Sequence, residues 1–92
     1  MEIKKKAWKR MFEAVLDGRK KFDLRLDDDF KNVKEGDVII LEEWDEEKKE
    51  YTGRKIRKKI SYMLKTRELP FWKEFDVAEK GFVVMSLEDE NN

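Results

Sequence analysis

The chain has 92 residues, 39% hydrophobic and 48% charged, and its 22 basic side chains balance 22 acidic ones. Without Cys or His it has no disulfide framework, no thiolate chemistry, and neither the usual acid–base residue near neutral pH nor the commonest zinc ligand. No apolar run approaches the roughly 20 residues of a membrane span, and Met1–Lys6 contains no apolar signal segment, so a cytoplasmic protein without a membrane partner is expected.

Length and aromatic content (three Trp, six Phe, two Tyr) predict one folded domain, residues 1–92, with a modest core under a charged shell. Gln is absent and Asn occurs only at Asn32, Asn91 and Asn92, a depletion that fits an origin at high temperature. The charge alternates in blocks. Residues 1–25 carry nine basic against four acidic groups, 26–53 four against eleven, 54–67 seven against none, and 68–92 two against seven. The two basic blocks either meet in space as one patch or pair locally with the acidic ones.

Residues 2–6 read as a first strand anchored by Ile3. Trp8, Met11, Phe12, Val15 and Leu16 form one apolar stripe and predict a helix over 7–17, ended by Gly18 in a left-handed cap. The next stretch, Gly18 to Arg25, places two Lys and two Arg in eight residues. Strand alternation over 21–26 predicts Phe22, Leu24 and Leu26 inward, and Lys21, Asp23 and Arg25 on an open charged face. Asp27–Asp29 reads as a polar turn rather than a metal loop, since the Gly and closing Glu of an EF-hand are missing. No metal and no cofactor are expected.

Val38–Leu41 predicts a strand covered on both faces, which continues through Trp44. Residues 45–50 are all charged and read as an exposed hairpin end, and Gly53 permits a bend or bulge. Residues 54–64 form the return strand, antiparallel to 38–44, with Ile56, Ile60, Tyr62 and Leu64 on one side. Phe71, Trp72 and Phe75 suggest a short helix after Pro70, and Phe82–Leu87 a last strand. The fold class is α+β, mainly β: five or six strands and one or two helices. The short connections predict an antiparallel sheet, curled toward a small barrel to remove its edges.

The ordered set of Gly18-x-Lys20-x-x-x-x-Arg25, Gly36-Asp37-Val38, Glu43-Trp44-Asp45, Tyr51-Thr52-Gly53-Arg54 and Gly81-Phe82-Val83-Val84-Met85 resembles the ASCH domains, small members of the PUA-like superfamily. The resemblance covers nearly the whole chain and is closest to a compact, uncharacterised subgroup. It implies a mixed β-barrel with packed helices and a cleft lined by Lys20 and Arg25. PUA-like relatives commonly bind RNA. Some small ASCH proteins are amidohydrolases that deacetylate N4-acetylcytidine with a Lys, a Thr and a Glu. Lys20 and Arg25 match that pattern, whereas Asp23 stands in place of the Thr.

The candidate ligand-binding set is Trp8, Lys9, Lys20, Lys21, Arg25, Trp44, Tyr51, Arg54 and Arg57. Its cations would meet phosphate and its aromatics would stack on bases. Each residue has a plainer role open to it: Trp8 in the core stripe, Arg25 paired with Asp23 or Asp27, Lys20 at the helix terminus, Arg54 to Lys59 as a solvated face. The candidate catalytic pair is Lys20 and Asp23. A Lys acts as base or nucleophile only when its proton is loosely held, and Arg19, Lys21 and Arg25 push that way. A carboxylate such as Asp23 or Glu42 pushes back, or serves as the base itself. The expected partner is RNA or a small nucleoside or nucleotide, bound by a monomer. The alternatives are an amidohydrolase acting on an acylated nucleoside and a protein-interaction module with an apolar patch near Phe71, Trp72 and Phe75.

Overall fold

The computed structural model describes residues 1–69 and 81–90. Five strands and one α-helix follow in the order β1 (Glu2–Trp8), α1 (Lys9–Leu16), β2 (Phe22–Leu26), β3 (Val38–Asp45), β4 (Glu50–Lys65) and β5 (Phe82–Glu88), with a 3₁₀ turn at Thr66–Glu68. They form one sheet in the order β1-β3-β4-β5-β2. The sheet is mixed, not wholly antiparallel, because β1 runs parallel to β3 from Glu2 opposite Val38 to Trp8 opposite Trp44. After α1 the chain lays β2 at the far side of the sheet, so β1 and β2 are its two edges. The helix expected after Pro70 lies outside the described residues. Among the described residues no helix is long and apolar enough to cross a membrane.

The core is built from Phe12 and Val15 of α1, Phe30 and Val33 of the β2–β3 connection, and inward residues of every strand but β2. Ile39, Ile40 and Leu41 are all buried, as a strand covered on both faces requires. The helix is shorter than its stripe suggested. Trp8 stands at the end of β1, Met11 and Leu16 are exposed, and only Phe12 and Val15 carry the packing. Gly18 ends the helix at φ +87°, where L side chains are strained, and its N–H donates to the Val15 carbonyl.

Two bulges in β4 reset what alternation alone predicts. Between Ile60 and Tyr62 the strand carries one residue more than β5. Ile60 and Met63 therefore both pack toward the core, and Tyr62, of the same parity as Ile60, is exposed. Between Glu42 and Trp44 a single residue of β3 faces three of β4, centred on Gly53 at φ +95°.

The largest departure is β2. Its ladder with β5 sets Asp23 opposite Met85 and Arg25 opposite Val83, two core residues, and Leu24 and Leu26 opposite Val84 and Phe82. Phe22, Leu24 and Leu26 are exposed, Asp23 is buried and Arg25 is half-buried. The strand exists where expected, with its faces exchanged, because register against β5 and not the composition of β2 decides which side faces in.

Candidate functional site

The exchange of faces creates a site. Between the edge strands lies a hollow of about 630 Å³, lined by Lys6, Ala7 and Trp8 of β1, Met11 and Val15 of α1, Lys20, Phe22 to Arg25, and Leu41. Its walls are mostly apolar, and besides Lys6, whose ammonium lies over the Trp44 ring, its charge sits on three linked side chains. The Asp23 carboxylate, 7% exposed, accepts from Lys20 Nζ at 3.1 Å through Oδ1 and from Arg25 Nε at 2.7 Å through Oδ2. Lys20 Nζ also donates to the Phe22 carbonyl at 2.8 Å and lies 4.8 Å from the centre of the Phe22 ring. Arg25 Nη1 donates to the Lys6 carbonyl at 2.9 Å, a bridge from one sheet edge to the other. One buried carboxylate thus holds an ammonium and a guanidinium in fixed relation, with one positive charge in excess.

Trp8 joins this site as an exposed wall and not as a core residue. The other candidates lie elsewhere. The Lys9 ammonium pairs with Asp45 at 2.9 Å, and Lys21 is exposed away from the hollow. Trp44 and Tyr51 meet edge-on with centroids 5.0 Å apart, and the Lys6 ammonium sits 3.6 Å over the Trp44 ring. Arg57 pairs with Glu2 and Glu90, Lys58 with Asp89 and Lys59 with Glu88. The basic blocks do not fuse into one patch. The second is neutralised largely by acids of β1 and the chain's last residues, not by the hairpin acids alone.

Sequence reasoning passed over a second polar cluster. Glu43 is buried, and the Gly53 bulge turns two β4 side chains onto it. Thr52 Oγ1 donates to Glu43 Oε1 at 2.6 Å, and Arg54 donates from Nε at 2.9 Å and from Nη2 at 2.8 Å, while also reaching Glu13 of α1. The Arg54 guanidinium and the Thr52 hydroxyl hold the Glu43 carboxyl down to about 2, against the cost of burial. Asp45, expected on an exposed turn, is buried as well. Lys9 and the N–H groups of Lys48 and Glu47 lower its carboxyl to about 2. The parity of Ile39 and Leu41 extends to 43 and 45 and was the available signal. Glu42, weighed as a possible base, is instead half-buried near Lys55.

The Asp triplet is divided among separate partners: Asp29 pairs with Lys5, and Asp27 lies 3.7 Å from Lys65. Among the described residues no three acidic side chains converge as a metal would need.

Fold and site together define a small mainly β domain with a mixed five-stranded sheet and a charged, apolar-walled hollow between its edge strands. Residues 3–87 match the family model described as a domain of unknown function, DUF3850, and the chain belongs to that family. No curated protein matches it.

Proposed function

We propose that the chain is an ASCH-type, PUA-like module that binds a nucleoside, a nucleotide or an unstacked RNA base in the hollow between β1 and β2. In this reading the curled sheet is the PUA-like barrel, its seam bridged by Arg25, and the domain works as a cytoplasmic monomer. The supporting observation is the anchoring of Lys20 and Arg25 on Asp23 at the wall of an apolar hollow. Apolar walls with a few fixed polar groups suit a flat heterocycle. Trp8 and Phe22 supply faces on which it can stack. The cation pairs of the second basic block favour a compact ligand over a long phosphate track. Titrating the protein with free nucleosides and short single-stranded RNA at low salt, followed by tryptophan fluorescence, tests this. Binding should weaken at least about tenfold in the double variant K20A/R25A. If folded protein ignores both ligand classes, the proposal fails.

One observation favours a second reading, an amidohydrolase acting on an acylated nucleoside: Lys20 Nζ and the Asp23 carboxylate lie within hydrogen-bond reach in a concave site. Incubation with N4-acetylcytidine should then release cytidine and acetate. Absence of both products with folded protein rejects it.

A further inference from the structure

We infer that the hollow selects a nucleobase edge bearing two adjacent hydrogen-bond acceptors, the O6/N7 edge of guanine or the O2/N3 edge of cytosine. This rests on the nucleoside reading above and adds a rule of selection to it. The Lys20 ammonium has three N–H groups, and among the described residues two are taken, by the Phe22 carbonyl at 2.8 Å and by Asp23 at 3.1 Å. The Arg25 guanidinium has five, and two are taken, Nε by Asp23 at 2.7 Å and one on Nη1 by the Lys6 carbonyl at 2.9 Å. One ammonium N–H and three guanidinium N–H remain, both Nη2 protons among the latter.

The lining side chains offer nothing comparable on the acceptor side. Asp23 is the lone carboxylate among the lining residues. Both its oxygens are engaged, and it is buried behind its two cations. Of the other lining side chains, Lys6 and Trp8 add donors, an ammonium that lies over the Trp44 ring and an indole N–H, and none adds an oxygen. The side chains therefore present donors and an excess positive charge. Guanine places O6 beside N7, and cytosine places O2 beside N3, so either pair can face a guanidinium fork. Adenine sets its N6 donor next to N7 or N1, and uracil sets N3–H between its two carbonyls. Either would oppose donor to donor at the Arg25 fork.

The experiment titrates the intact chain with the four ribonucleosides, 7-deazaguanosine and 3-deazacytidine, following tryptophan fluorescence. Guanosine, cytidine or both should bind at least about tenfold tighter than adenosine and uridine. The deaza analogue of the preferred base should lose that advantage, which also tells the guanine edge from the cytosine edge. R25K, keeping the charge without the fork, should narrow the preference; if that variant does not fold, the analogues on the unaltered chain decide. Equal binding of all four nucleosides, or a preference for adenosine or uridine, overturns the selection rule and leaves nucleoside binding standing. Failure to bind any of them overturns the rule together with the reading on which it rests.

Discussion

Asp23 sits beside a Leu of opposite fate. The two are adjacent in an alternating strand, so whichever face turns inward, the other must turn out. With Asp23 inward, its removal leaves Lys20 and Arg25, 18% and 23% exposed, without their shared anion. D23A should therefore cost about 3 kcal/mol in a urea melt, as breaking a partly buried pair does. L24E should stay within about 0.5 kcal/mol of the parent, because Leu24 is 53% exposed. The opposite faces, Leu24 in the core and Asp23 in water, would reverse the two results, so the pair of melts measures the register of β2 directly.

At the level of elements, the β3–β4 hairpin shows how a bulge aims side chains. Three residues of β4 stand against one of β3, and Gly53 supplies the positive φ that lets the strand make the detour. Thr52 and Arg54, on either side of it, both bond Glu43, and Arg54 also ties the hairpin to α1 through Glu13. The linkage to pH follows from the direction of the shift. The folded-state value of Glu43, about 2, lies below its ordinary 4.5. Its contribution to stability is therefore complete above about pH 4.5 and is lost as the pH falls toward 2. Asp45, lowered to about 2 from 3.8, adds to the loss over the lower part of that window. Denaturant midpoints should fall as the pH drops through the window, and E43Q should flatten the fall. A fall of the same steepness in E43Q would mean that other carboxylates carry the acid sensitivity.

For the molecule as a whole, net neutrality conceals a division of labour among charges. The second basic block serves to hold elements together: Arg57 bridges β4 to Glu2 at the start of β1 and to Glu90 after β5. The hollow keeps a positive excess facing a ligand-sized space. Affinity for a phosphorylated ligand should thus fall with salt as for about one neutralised phosphate. R57A should leave affinity and salt slope unchanged, whereas R25A should lower both; a slope of several charges, reduced by R57A, would count against a confined site. The outer face formed by Phe22, Leu24, Leu26, Phe82 and Tyr62 is exposed. The apolar patch sought near Phe71, Trp72 and Phe75 lies outside the described residues, so this outer face is where sedimentation of L24E beside the parent checks the expectation of a monomer.

Local chemistry was enough to place the strands of the 38–64 hairpin, the helix ending at Gly18 and the irregularity at Gly53. Each depends on neighbours within a few residues, on periodicity, or on a backbone conformation that glycine alone tolerates. Distant parts of the chain decided the rest. The faces of β2 are set by its ladder with β5, some sixty residues away. The burial of Glu43 depends on a return strand that brings it an arginine and a threonine. The destination of the second basic block depends on where the two ends of the chain come to lie. A carboxylate in a strand looks the same in sequence whether it meets water or two cations. Only the assembled sheet fixes which, because a one-residue change of register carries every side chain of the strand to the opposite face.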